Sequence, residues 1–170
     1  SKRENMKIQQ KKSFVIGYDN VEPVSIGYKL PLVFFGGPCA IESHDHAFKM
    51  AEEIGSICKR VDIPWVYKSC YDKDCRSSPT SFHGLGVDHG LRILADIRNE
   101  FGIPVLSDFS DPSWGPATGE VCDLVQIPAY LCRQTCMRTS FLGLELVIIQ
   151  MVFVSMDAKP LINWICIKLN

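Results

Sequence analysis

Lys68, Lys73, Arg76, Ser77 and Ser78 crowd into the opening of one stretch, KSCYDKDCRSSPTSF, which runs from Lys68 to Phe82. Two ammonium groups, a guanidinium and two hydroxyls suit a multiply charged anion. Arginine offers a bidentate fork and lysine a point charge, and hydroxyls with backbone N–H groups fill the remaining acceptors. The same composition also describes a solvated, positively charged loop, so the stretch by itself leaves both readings open. Its position is more informative. Ile63 to Tyr67 is a short apolar run in which Pro64, Trp65, Val66 and Tyr67 read as a buried strand. The charged cluster then lies at the carboxyl end of that strand.

The elements that must position it follow from hydrophobic periodicity and punctuation. Residues 1–12 read as a frayed polar tail. Ser13 to Gly17 and Val24 to Tyr28, around Asp19-Asn20, read as a β-hairpin. Leu30 to Phe35 is a strand stopped by Gly36-Gly37-Pro38. Ser43 is an N-cap with Asp45 in the first turn; the helix behind it carries Phe48, Ala51, Ile54, Ile57 and Cys58 at helical spacing and ends on Lys59-Arg60. The second unit repeats the order: a strand near 63–69, the basic loop, then a helix from Asp88 to Phe101 with Leu91, Leu94, Ala95 and Ile97 on one side and Gly102 as its stop. A third strand, Ile103 to Leu106, leads into Ser107-Asp108, and a helix over Asp111–Val121 is weakened by Gly115 and Pro116. The fourth strand is Leu124 to Ile127, followed by Pro128-Ala129 and a helix from Tyr130. Strands alternating with helices predict a parallel sheet of βα units, and near-continuous apolar strands predict that both faces are covered. A (β/α) barrel and a doubly wound open sheet both fit; no G-x-G-x-x-G follows the first strand, which disfavours a dinucleotide site.

Polar residues recur where these strands end. Cys39 and Glu42 follow the first, and Lys68, Lys73 and Arg76 the second. Asp108 follows the third and Gln126 lies at the end of the fourth, with Arg133 beyond it. In a parallel barrel those ends converge on one face. A formal net charge of −1 provides no global field for nucleic acid or a membrane surface, so an anion site has to be local. The polar start of the sequence has no apolar leader core, and Cys70-x4-Cys75 and Cys132-x3-Cys136 match no zinc ribbon or redox pair. Most of the eight cysteines therefore read as small core residues of a reduced, cytoplasmic protein. His44 and His46, in the first turn of a helix, read as surface residues.

GGPCAIES at 36–43, YKSCYDKDCRSS at 67–78, SDFSDPS at 107–113 and QIPAYLCRQT at 126–135 together resemble the 3-deoxy-D-manno-octulosonate 8-phosphate synthases, also called 2-dehydro-3-deoxyphosphooctonate aldolases. The Q-[IL]-P-A-x-L-x-R-Q-T run and the K-x4-K-x2-R-S-S spacing carry the resemblance. The related 3-deoxy-arabino-heptulosonate 7-phosphate synthases share G-P-C-x-x-E-S, but their basic loop is closer to K-P-R-T-S, which this chain lacks. The resemblance implies an α/β fold: about the first four βα units of a (β/α)8 barrel over 30–135, after an N-terminal tail and hairpin over 1–29 and before a divergent apolar tail over 136–170. It implies condensation of phosphoenolpyruvate with arabinose 5-phosphate and water, releasing phosphate, in a cytoplasmic homo-oligomer making carbohydrate for lipopolysaccharide. By resemblance, Lys68 and Lys73 lie near phosphoenolpyruvate, and Lys73 and Asp108 act in catalysis, with Asp108 also shaping the sugar site. Arg76 and Ser77 hold the sugar phosphate, Ser78 is a further substrate-binding residue, and Gln126 and Ala129 line the phosphoenolpyruvate pocket with Arg133 close by. Cys39 stands where metal-dependent members have cysteine and metal-independent ones asparagine, which implies zinc or iron(II), with the remaining ligands drawn from the second half of the barrel.

Several positions depart from that pattern. Cys75 replaces an asparagine, His83-Gly84-Leu85-Gly86 replaces R-G-P-G, and Ser110 replaces a histidine. Beyond Thr135 the resemblance stops, and Leu146–Val154 and Leu161–Leu169 read as strands or buried segments. Three functions therefore remain in view: the octulosonate synthase, a truncated relative that only binds phosphates, and a heptulosonate synthase.

Overall fold

The computed structural model describes residues 13–27, 29–74, 78, 80–128 and 131, together with the backbone of 145–154 and 160–169. The first two strands, β1 (Phe14–Ile16) and β2 (Val24–Ile26), form the antiparallel hairpin, with Phe14 opposite Ile26. There follow β3 (Phe34–Gly36), α1 (His44–Arg60), β4 (Trp65–Lys68), α2 (Val87–Phe101), β5 (Val105–Asp108), a 3-10 turn (Pro112–Trp114), α3 (Gly115–Val121), β6 (Leu124–Ile127), β7 (Glu145–Val154) and β8 (Pro160–Leu169). Strands β3 to β6 are parallel neighbours in chain order. The progression then changes sense: β8 pairs with β6 antiparallel, and β7 pairs with β8 antiparallel.

Two apolar layers sandwich the parallel strands, as the continuous apolar runs predict. On one face Trp65, Tyr67, Val105 and Val125 pack against Ala47 and Ala51 of α1 and Leu91, Leu94 and Ile97 of α2. On the other, Val66, Leu106 and Leu124 meet Ile16 and Val24 of the hairpin. The hairpin is tied in place by charge as well. Arg98 donates from Nε and Nη2 to the two oxygens of Asp123, each at 3.0 Å, and from Nη2 to the Tyr18 carbonyl at 2.8 Å. Asp123 Oδ2 also accepts from the Val105 N–H at 3.0 Å.

The helix caps form as expected. Ser43 Oγ accepts from the His46 N–H at 3.1 Å, and Gly102 takes the left-handed conformation at φ 60° that closes α2. Other boundaries move for local reasons. Strand β3 begins at Phe34 rather than Leu30, because pairing extends only opposite Trp65–Tyr67; Leu32 is left 78% exposed. The third strand of the parallel set starts at Val105, after Pro104, whose missing N–H cannot join a ladder. The single helix expected over 111–121 is split by Gly115 and Pro116 into the 3-10 turn and α3. Ile57, expected in the buried stripe of α1, is 49% exposed near the helix end. Among the described residues no helix is long and apolar enough to cross a membrane.

Candidate functional site

Side chains alternate across a strand with a period of two. Lys68, Asp108 and Gln126 therefore share the face of Val66, Leu106 and Leu124, each two residues nearer the carboxyl end of its strand. The apolar member of every pair packs on the hairpin. The polar member is left to form a floor above that core. Asp108 is paired directly with Gln126, whereas Lys68 lies opposite Leu106, one step lower. The lysine stem covers that step: Lys68 Nζ lies 3.7 Å from Asp108 Oδ1. Lys73, from the loop after β4, puts its Nζ 3.3 Å from Asp108 Oδ2. Asp108 is only 6% exposed. Burial pushes its carboxyl up, but Lys68 and Lys73, with hydrogen bonds from Lys73 and Cys70, outweigh that and hold it below the usual carboxylate range.

The loop that supplies Lys73 is fixed at its base. Lys73 N–H donates to the His83 carbonyl at 2.6 Å, and Gly86 N–H to the Tyr71 carbonyl at 3.0 Å. Tyr71 is fully buried, its hydroxyl 2.7 Å from Thr118 Oγ1 and its ring edge-on to Trp114. Gly90 of α2 gives the Tyr71 side chain its seat, since a Cβ there would collide with Tyr71 Cβ. The segment after β3 docks on the same strand end. Gly37 packs against the Lys68 carbonyl so closely that a Cβ would overlap it. Ser69 Oγ donates to the Pro38 carbonyl at 2.8 Å, and Ile41 N–H to the Cys70 carbonyl at 2.9 Å. The Cys70 thiol points to the carbonyls of Asp72 at 3.0 Å and Asp108 at 3.6 Å, and burial pushes it up, so it stays a thiol.

Of the residues singled out in the sequence, Lys68, Lys73, Asp108 and Gln126 thus share one floor. The Ser78 hydroxyl lies 2.9 Å from Thr80 Oγ1, and among the described residues no hydrogen bond joins it to that floor. Arg76, Ser77, Ala129 and Arg133 lie outside the described residues. Cys39 is exposed and, among the described residues, belongs to no group of three or more metal-ligating side chains. Such a group is formed instead by Asp72, Asp74 and His83, whose ligand atoms lie within 4.8 Å of one another. Among the described residues, then, Cys39 is a single candidate thiolate ligand rather than a completed zinc or iron site. His44 is a surface residue, stacked on Phe48 at 4.2 Å and 3.7 Å from Asp96. His46 corrects the surface reading: it is half-buried, and its Nδ1 has no hydrogen-bond partner among the described residues.

Three features escaped the sequence reading. The Arg98–Asp123 pair joins positions far apart in the chain, and only the acid placed just before a buried strand hinted at it. Tyr71 looked like part of a polar loop rather than its anchor. Asp108 Oδ1 and Gln126 Oε1 are both buried without a hydrogen-bond partner among the described residues, which no spacing reveals.

The chain is 46% identical over 116 residues to a 2-dehydro-3-deoxyphosphooctonate aldolase of Marinobacter nauticus, covering 68% of this chain and 41% of the relative. Proteins of the same name from Synechococcus sp. and Koribacter versatilis are each 49% identical, over 111 and 115 residues, covering 65% and 68% of this chain and 39% and 41% of the relatives. The chain thus spans about two fifths of the length of these curated relatives. A family model described as the DAHP synthetase I family matches residues 5–150, past the Thr135 at which the motif resemblance stops. With most of its length inside that match, the chain belongs to the DAHP synthetase I family.

Proposed function

We propose that the floor formed by Lys68, Lys73, Asp108 and Gln126 binds phosphoenolpyruvate, as part of a synthase that condenses it with arabinose 5-phosphate and water and releases phosphate. The observation that carries this reading is the convergence of two lysines on one buried carboxylate at the carboxyl ends of parallel strands. Ligand sites of parallel α/β folds lie at those ends. The name shared by the curated relatives supports the octulosonate product over the heptulosonate one. Residues 30–135 then read as the first four units of a (β/α)8 barrel, with 1–29 as tail and hairpin and 136–170 as a divergent tail.

The lysines neutralise the ligand's phosphate and carboxylate, and the apolar layer beneath them keeps water from screening that charge. Asp108 holds both ammonium groups in place before the ligand arrives, so catalysis is mainly positioning and charge stabilisation. Arg76, Ser77 and Ser78 take the sugar phosphate, and Ala129 and Arg133 complete the phosphoenolpyruvate pocket. Cys39 would contribute a thiolate to a divalent metal, zinc or iron(II), with the remaining ligands drawn from the second half of the barrel. The working assembly is a cytoplasmic homo-oligomer.

Calorimetric titration with phosphoenolpyruvate tests the reading. Lys73→Ala is expected to weaken binding by about 1.5–3 kcal/mol, the scale of a charged hydrogen bond. Unchanged affinity in both Lys73→Ala and Lys68→Ala removes this floor as the anion site. A second reading, a phosphate-binding relative without turnover, is favoured by the antiparallel strand seated on β6.

A further inference from the structure

The floor holds its charges in an arrangement that a bound anion must upset. Lys68, Lys73 and Asp108 sum to a charge of plus one. A dianion seated on the lysines takes the sum to minus one and brings a second negative charge towards a carboxylate that has almost no contact with water. Asp108 then keeps the full cost of burial while sharing the cations that offset it. One proton returns the sum to zero.

A buried acceptor lies on the adjacent strand. Asp108 and Gln126 are register partners on adjacent parallel strands, about 4.8 Å apart in the pairing direction. Each is at least nine-tenths buried, and Asp108 Oδ1 and Gln126 Oε1 both lack a hydrogen-bond partner among the described residues. Two neighbouring acceptors without a donor are unfavourable. A proton on Oδ1 converts one of them into a donor that Gln126 Oε1 can accept. Among the described residues, the groups facing Asp108 are Lys68 at the end of β4, Cys70 just beyond it, Lys73 in the loop and the uncharged Gln126. The Cys70 thiol stays protonated, which leaves Asp108 as the group among these that can take up the proton.

We propose that anion binding on this floor is coupled to proton uptake: as the anion draws on Lys68 and Lys73, the Asp108 carboxylate takes a proton from solvent and donates it in a hydrogen bond to Gln126. This deepens the anion-site reading above and rests on it. The floor would then hand its substrate complex a protonated carboxyl, beside the anion, that the free protein does not have.

Sulfate is the appropriate probe, because it stays dianionic through the range in which a carboxyl titrates. The full chain is titrated calorimetrically at about pH 5, just above the ordinary carboxylate range, in two buffers of different ionisation enthalpy. The buffer dependence of the heat gives the protons exchanged. Uptake approaching about one proton per sulfate is expected, falling towards none at about pH 8. Asp108→Asn is expected to bind sulfate with no buffer-dependent heat, and more tightly than the parent at the higher pH. Gln126→Leu is expected to bind with reduced uptake. Sulfate binding with identical heats in both buffers at about pH 5, or uptake that survives Asp108→Asn, overturns the coupling alone. Failure of the parent chain to bind sulfate overturns the anion site itself, and the coupling with it.

Discussion

Asp108 ties the chemistry of the floor to the stability of the fold. Its carboxyl is held below the usual range because the two lysines outweigh its burial. A depressed folded-state value stabilises the protein above the unfolded carboxylate value of about 3.9, and that stabilisation is lost as pH falls through the folded value. Urea unfolding followed from neutral pH into this acid window should therefore show the parent losing stability. Asp108→Asn should start about 1.5–3 kcal/mol lower at neutral pH and lose less on the acid limb. Equal acid limbs in the two proteins would show that Asp108 gains nothing from the lysines. Much of this residue set was legible in the sequence by type: cations after one apolar strand and a carboxylate after the next. The direct contact was not legible. Lys68 and Asp108 meet only because parallel strands are staggered, so that a long side chain from one step below reaches the carboxylate. The neighbouring acceptors were hidden for the same reason, since they depend on register.

Elements were read best where local signals were strongest and worst where a neighbour sets the boundary. The Ser43 cap, the Gly102 stop and the span of β6 are local features and formed as expected. The start of β3 depends on how far β4 extends beside it, which no residue within 30–35 encodes. Two contacts between elements yield predictions. Gly90→Ala drives a methyl into Tyr71, between α2 and the base of the basic loop. It should cost about 1–3 kcal/mol in urea unfolding, the range for overpacking, and also weaken phosphoenolpyruvate binding, because Tyr71 anchors the segment that carries Lys73. Unaltered affinity would mean that the loop base does not transmit to the site. Arg98→Ala leaves the Asp123 carboxylate, fully buried, without its guanidinium and frees the Tyr18 carbonyl. The expected loss is about 3–5 kcal/mol, as for one partner removed from a buried ion pair. A loss within about 0.5 kcal/mol, the size of an ordinary surface change, would mean that this pair does not hold the hairpin.

At the scale of the whole molecule, the decisive feature is what lies beside β6. A closed parallel barrel needs each strand to be followed by another parallel one, with tilt and stagger that bring the last back to the first. Here the neighbour of β6 is β8, running antiparallel, and β7 pairs outside it, so β3 and β7 are the edges of an open sheet. The apolar character of this segment was visible in its composition, and strands were one of the two readings it left open. Their sense was not, because apolar content fixes burial and leaves direction to the connections. With an antiparallel strand in that place, the carboxyl ends beyond β6 do not add to the face that carries Lys68, Lys73 and Asp108. Loss of one preorganised charge contact can cost on the order of 100-fold in rate, and among the described strands only four parallel ends build this face. The 170-residue chain should therefore bind phosphoenolpyruvate but form no product from phosphoenolpyruvate and arabinose 5-phosphate, with or without added divalent metal. Phosphate release and product formation by the purified chain are the measurements. Turnover near the ~1–10 s⁻¹ of an ordinary enzyme would overturn this and show that β7 and β8 supply what further parallel units would otherwise contribute.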